Sequence, residues 1–389
     1  MNFVTRTRPS RPLVLALAVL VLGGCSAKSP PKPILIGHVA TVGQEADAAP
    51  IGEHARHAIL LAVEQTNKEE NRIAGKPVTV LHPRADPQQL APLAVRLIRV
   101  DGVVALLGGN DAAEADALGR AAQAYDVPLI TPALLLPQTP AENVFSVSPG
   151  LVQQGRMLAR FAIQELKADR VSILVDGRRA ESAALASAFA NEFSREAGQS
   201  AKQWLYKTQA DLTDAIARVT KEPGKAIFHA GPAGDLKRLQ AARDQAGSAV
   251  PLLYGAGTSQ LAVLLADAEA GKGVYLGTVY TDAIASGGNA EFVKKYRERF
   301  REAPGLHAAL AYDAAQVLFE ALRRALAGDK VLKPGAVRDQ LANAKDVPFT
   351  SLTGPLTFDK DHAARRPLFI VQVENGGFKV IKQYDPEID

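Results

Sequence analysis

Gly102-Val103-Val-Ala-Leu-Leu107-Gly108-Gly109, an amphipathic segment from about Ala112 to Tyr125, and then Val127-Pro-Leu-Ile130 together decide the fold. The first run is apolar throughout, with no polar residue at alternate positions. A strand of that composition must be buried on both faces, which is the mark of a parallel sheet covered by helices. The middle segment has helical spacing, and the third run is again a short buried strand. The same unit recurs on the N-terminal side. Ile34-Leu-Ile-Gly-His-Val39 and Val78-Thr-Val-Leu81 read as strands. Gly52 through Asn67, with Ala55, Ile59, Ala62 and Val63, reads as a helix, as does Pro87 to Arg99, with Leu90, Leu93, Leu97 and Ile98.

The pattern restarts after Pro149. Helices are expected at Gln153 to Leu166, Glu181 to Glu196, from Asp211, and Asp235 to Ala246. Strands are expected at Val171 to Val175, Gln203 to Tyr206, Lys225 to Phe228, Val250 to Leu253 and Val274 to Tyr280. A long helix spans His307 to Ala327, and Leu368 to Glu374 with Phe378 to Ile381 reads as a hairpin turned by Asn375-Gly376-Gly377. The fold class is therefore α/β, with two doubly wound, mainly parallel units at roughly 33–149 and 150–278. Open parallel sheets bind ligands outside the carboxyl ends of their strands, so a cleft between the two units is the expected site.

The N-terminus carries a different message. Arg6, Arg8 and Arg11 precede the apolar run Leu13 to Leu22, which meets Gly23-Gly24-Cys25. That order is a secretory signal, and the run is about half the length of a spanning helix. Leu22-Gly23-Gly24-Cys25 resembles the bacterial lipobox. The resemblance implies residues 1–24 as a signal peptide, a lipid on Cys25 that holds the protein to a membrane, and, from Ser26, the outer membrane if the cell has one. Residues 25–32 read as a polar, Pro-rich tether. Cys25 is the only cysteine, which excludes a disulfide framework and a cysteine metal site. The chain has a net charge of +4, and three of those charges are the arginines of the signal, so the remainder is close to neutral. No block of like charge stands out, and nucleic acid is not an expected partner.

Several segments, taken in order, resemble the leucine/isoleucine/valine-binding family of type I periplasmic binding proteins, the substrate-binding subunits of ABC importers. They are Ile34-Leu-Ile-Gly37, Arg72-Ile-Ala-Gly75-Lys-Pro77, Val127-Pro-Leu-Ile-Thr-Pro132, Glu142-Asn-Val-Phe145 with Pro149 and Gln153-Gln-Gly155-Arg156, Ala311-Tyr312-Asp313-Ala314, and Leu352-Thr-Gly354-Pro355-Leu-Thr-Phe358-Asp359. The resemblance implies two lobes, 33–149 with 279–353 and 150–278 with 354–389, joined by three crossovers that act as a hinge. It implies a small-molecule ligand, ABC permease subunits as partners, no enzymatic activity and no cofactor. A ligand-sensing lipoprotein of the same fold, signalling to a partner protein, is the alternative.

At the family's ligand positions the sequence departs. Gly109-Asn110-Asp111-Ala112 stands where Ser pairs are usual, and Leu135 stands for an expected hydroxyl. Ala180 and Pro232 fall at pocket aromatics, and Gly257 falls near the acid that holds the ammonium. The expected ligand contacts are Asn110, Asp111, Thr131 and the Ala133 backbone from lobe one, with Arg178, His229 and Tyr254 from lobe two. Asp111 reads equally as a helix cap, His229 as a core histidine, and Arg178 as half of an exposed salt bridge. Glu53-His54-Ala-Arg-His57 places two histidines at i and i+3, but no third metal ligand is evident, so this reads as a solvated helix start. No Walker loop, HExxH or GxSxG motif occurs.

Overall fold

A computed structural model of the chain describes residues 31–41, 49–135, 142–255, 271–327, 331–332, 335–344, 347–374 and 377–386. The signal segment, Cys25, Gly257 and the turn residues 375–376 lie outside the described residues.

The first sheet contains β1 (Ile34–Val39), β2 (Val78–Leu81), β3 (Leu106–Gly108), β4 (Leu129–Thr131) and β5 (Val144–Ser146). They are all parallel, in the order β2-β1-β3-β4-β5. Helices α2 (Leu90–Arg99) and α3 (Ala112–Ala124) pack on each other, and Leu90, Leu97 and Leu118 bury with Val39, Leu106 and Leu129 in one core. Ile36, Leu107 and Ile130 join another core with α1 (Ala49–Thr66). Gly108 allows β3 to lie this close to β1. Its φ is +128°, and a Cβ there would stand 1.9 Å from the Val39 carbonyl oxygen.

The second sheet has the order β15-β14-β10-β9-β8-β6-β7. Its parallel part is β6 (Val171–Asp176), β7 (Lys202–Tyr206), β8 (Ala226–Ala230), β9 (Leu252–Gly255) and β10 (Tyr275–Thr278). The antiparallel hairpin β14 (Leu368–Glu374) and β15 (Gly377–Tyr384) completes it beside β10. Helices α4 (Leu151–Gln164) and α5 (Ala180–Ala197) pack tightly on one another. Gly155 makes this possible, since a Cβ there would meet Ala188 Cβ at 2.7 Å and the Leu185 carbonyl oxygen at 2.8 Å. Phe189 of α5 stacks on Phe228 of β8, with ring centroids 4.5 Å apart. Helix α6 (Gln209–Lys221) starts at a capping box in which Thr208 and Asp211 satisfy each other's backbone N–H groups; α7 (Ala233–Gln245) packs beside it. Among the described residues no helix is long and apolar enough to cross a membrane.

Helices α8 (Gly287–Phe300) and α9 (Leu306–Leu326) follow β10 and return the chain to α1, against which both pack. The short helix α10 (Ala336–Ala342) leads into a small antiparallel sheet of β11 (Phe349–Ser351), β12 (Gly354–Phe358) and β13 (Ala364–Arg365). Here the structure differs from the expected passage at 353–354. Residues 354–365 stay beside the first sheet: Ser146 of β5 bridges Ala363, its N–H donates to the His362 carbonyl at 2.9 Å, and the His362 ring stacks on Phe145 at 4.1 Å. The chain enters the second sheet only at Leu368, after Arg366-Pro367. Short strands with a bridge partner some 200 residues earlier leave no local pattern, which is why this segment reads from sequence as part of the following unit.

Candidate functional site

The carboxyl ends of the parallel strands carry two groups of polar residues. In the first sheet, β3 ends at Gly108-Gly109, and the chain turns into α3 through Asn110 and Asp111. Asp111 is the N-cap, its carboxylate accepting the Glu114 N–H at 2.9 Å. Glu114 is buried and folds back on the same loop. Its carboxylate accepts the Asn110 N–H at 2.8 Å and the Thr41 hydroxyl, which comes from beyond the end of β1. Burial pushes the Glu114 carboxyl above the ordinary range, against the pull of the Thr41 and Asn110 hydrogen bonds.

The loop after β4 is pinned just as closely. The Thr131 hydroxyl donates to the Gly109 carbonyl at 2.7 Å and accepts the Ala133 N–H at 3.0 Å. Ser146 donates to the Ala133 carbonyl at 2.5 Å, and Ser148 to the Pro132 carbonyl at 2.6 Å. Asn110, Asp111, Thr131 and Ala133 are thus brought together in one hydrogen-bonded set. Asn110 and Asp111 reach solvent, whereas Thr131 and Ala133 are buried behind them. Leu135 is partly buried against the α2–α3 core.

The ends of the second sheet form another set. Asp176, the last residue of β6, is buried and accepts a two-pronged contact from Arg178, Nε at 2.8 Å and Nη2 at 2.9 Å. Burial opposes its charge, but the Arg178 fork outweighs burial and holds the Asp176 carboxyl below the usual range. The guanidinium lies 5.7 Å from the Tyr206 ring centroid. Tyr206, at the end of β7, donates its hydroxyl to Asp235 in the first turn of α7 at 2.7 Å. Burial first, and Asp235 second, raise the Tyr206 hydroxyl far above its ordinary value.

His229 of β8 is fully buried, with Nε2 3.1 Å from the Pro232 carbonyl oxygen, and burial lowers its pKa. Tyr254 of β9 is buried, lies nearly parallel to the His229 ring at 5.7 Å and donates to the Gly231 carbonyl at 3.0 Å. Of the three expected lobe-two contacts, only Arg178 is exposed. Sequence reasoning did not single out Glu114, Tyr206 or Asp235. Their common signal is position, since each stands at a strand end or in the first turn of the helix that follows one.

The His54–His57 pair is placed elsewhere, on α1 facing the turn before α9. His57 Nδ1 lies 3.0 Å and His54 Nε2 3.4 Å from the Glu302 carboxylate, and the His57 ring stacks on Phe300 at 4.2 Å.

The fold recurs among solved structures. The leucine-binding protein LivK of Thermotoga maritima is 23% identical, with 91% of this chain and 99% of that one covered and a TM-score of 0.74. An R. palustris ABC transporter solute-binding protein in complex with benzoate is 20% identical, with 92% and 97% covered and a TM-score of 0.70. LivJ of Streptococcus pneumoniae in complex with isoleucine is 23% identical, with 90% and 99% covered and a TM-score of 0.70. The periplasmic binding protein family model matches residues 33–378. The two parallel sheets with polar loops at their strand ends, together with a family-model match over nearly the whole described chain, show that this protein belongs to the periplasmic binding protein family and has its two-lobed type I fold.

Proposed function

We propose that the chain is an extracytoplasmic solute-binding protein, lipid-anchored through Cys25, that delivers a small polar metabolite or amino-acid-like ligand to an ABC importer. The two lobes, 33–149 with the helices that follow residue 279, and 150–278 with the C-terminal hairpin, close on the ligand about the crossovers that join them. The observation that carries this reading is the pair of polar strand-end sets, Asn110–Asp111 with the loop at Thr131–Ala133, and Arg178 with its Asp176 and Tyr206 neighbours. Asn110, Asp111 and Arg178 are the direct contacts. Thr131, Ala133, His229 and Tyr254 form the layer behind them and fix loop shape.

The ligand class follows from how charge is already used. The carboxylate of Asp176 balances Arg178, so this arginine offers hydrogen bonds more than a free positive charge. That suits a polar metabolite held by hydrogen bonds better than an aliphatic amino acid, whose carboxylate calls for a free positive charge. The similar proteins that hold benzoate and isoleucine support a small organic solute as the ligand. A thermal-shift screen of the purified protein against amino acids, aromatic and aliphatic carboxylates and polar metabolites tests the reading. A binder at a hundred times its Kd adds about 2.7 kcal/mol to the folded state. No stabilisation by any compound, together with genes for no permease or ATPase nearby, would count against transport.

A further inference from the structure

Arg366 stands in the two-residue link between β13 and β14, where the chain makes its last passage between the sheets. Its side chain is wholly buried and the bulkiest so placed among the described residues. The guanidinium touches more than its own passage. Nη1 donates to the Val147 carbonyl at 3.1 Å, in the passage from β5 to α4. Nη2 donates to the hydroxyls of Ser351, the last residue of β11, and Thr353, in the turn to β12, each at 3.1 Å. The Thr353 hydroxyl donates in turn to the Val279 carbonyl at 3.2 Å, in the passage that leaves β10. The charge is balanced by Asp313 of α9, 2.7 Å from Nη2 and also buried. The other Asp313 oxygen accepts the Leu352 N–H at 2.8 Å.

All three passages between the sheets are therefore joined, directly or through one hydroxyl, to a single planar fork. Separate strands flex separately at their own backbone torsions. Strands tied to one rigid, multidentate group must turn together. Arginine suits the task because its donors are fixed in a plane and point several ways, whereas a lysine ammonium is a point charge on a flexible stem. We propose that Arg366, held by Asp313, is a positioning residue for ligand capture: it staples the three crossovers into one pivot, so that the lobes swing along a single path. The role in capture rests on the solute-binding reading above. The staple itself does not, and it is tested without ligand.

The experiment is hydrogen exchange with mass spectrometry on the ligand-free, full-length protein. The principal variant is Asp313→Asn with Arg366→Met, which removes the fork without leaving an unpaired charge in the core. Exchange is expected to rise about tenfold or more, and together, in peptides covering 147–150, 278–281 and 351–353. Peptides from β6 and β8 are expected to keep their wild-type rates. Thr353→Val removes the hydroxyl that joins Arg366 to Val279, leaves the Arg366 bond to Val147 in place, and is expected to raise exchange at 278–281 while leaving 147–150 unchanged. A folded double variant whose exchange rises only around 364–368, or nowhere, overturns the staple. If the double variant does not fold, Thr353→Val decides alone, and unchanged exchange at 278–281 overturns it. Failure of every compound in the ligand screen would remove the solute-binding reading and leave these exchange rates as they are.

Discussion

The Tyr206 hydroxyl and the Asp235 carboxylate meet at 2.7 Å, both buried, and so join the end of one strand to the first turn of a helix that begins 27 residues later. Tyr206→Phe keeps the ring under Arg178 but leaves a buried carboxylate oxygen without its donor. The expected cost is about 1–3 kcal/mol, seen as a lower midpoint in urea with an unchanged slope. An unchanged midpoint would mean that water replaces the hydroxyl at no cost.

Gly155 is the second test. The gap between α4 and α5 has no room for a methyl group, because Ala188 and the Leu185 carbonyl already fill it. Gly155→Ala is expected to destabilise the protein by about 1–3 kcal/mol through overpacking, despite the better helix propensity of alanine. A thermal melt at or above the wild-type midpoint would show that the helices separate freely.

A share of the acid sensitivity should trace to one pair of rings. His38 and His82 place their Nδ1 atoms 2.9 Å apart, so one donates, the other accepts, and the pair cannot be doubly charged in place. Burial, then the neighbouring His82 and Arg56, lower His38 to about 3; burial, then Arg56, lower His82 to about 4. Both values fall below the unfolded value near 6.5, so the unfolded chain takes up the protons first. The stability these neutral rings contribute is complete above about pH 6.5 and drains away as pH falls toward 4 and then 3. In that window each ring makes unfolding about tenfold easier per pH unit. Chemical denaturation at a series of pH values should show this slope, and His82→Asn should flatten it. The same slope in the variant would place the acid sensitivity elsewhere.

Leucine, isoleucine and valine should bind weakly. Leu135 packs on the core side of its loop where the family resemblance leads one to expect a hydroxyl, and Gly257 stands where it leads one to expect an acid. Each charge-assisted hydrogen bond to the ligand is worth about 1.5–3 kcal/mol, and about 1.4 kcal/mol is tenfold in affinity. Two missing partners lower affinity by about a hundredfold or more. Calorimetry with the purified protein checks this; sub-micromolar binding of leucine would refute it.

Cys25→Ala should abolish lipid attachment and leave an unprocessed precursor. Mass spectrometry of the mature N-terminus reads this directly, and a free thiol at Cys25 in the wild-type protein would disprove the anchor.

The βα repeat was plain in the sequence because its strands are apolar on both faces and its helices carry a continuous apolar stripe. Leu106, Leu129 and Ile173 announce burial by composition alone. The strands β5, β12 and β13 were not legible. They are short, and the bridge that sets their place, Ser146 to Ala363, is a long-range pairing with no local trace. The site divides in the same way. Asp111 could be read as a cap, and it is one. His229 could be read as ligand contact or core residue because its strand is apolar on either reading; its neighbours Tyr254 and Pro232 come from other strands or turns and decide its burial. The Asp313–Arg366 pair needs residues 53 apart on separate elements, and only the folded chain brings them together.

The hairpin β14–β15 lies beside β10 although it is made last. A chain emerging from its N-terminus has β6 to β10 in hand about a hundred residues before Leu368 appears. Until then β10 is a bare edge with open amides and carbonyls, the template on which aggregation begins. A chain cut short before Leu368 therefore has no strand to cover β10, and its larger sheet stays unsealed.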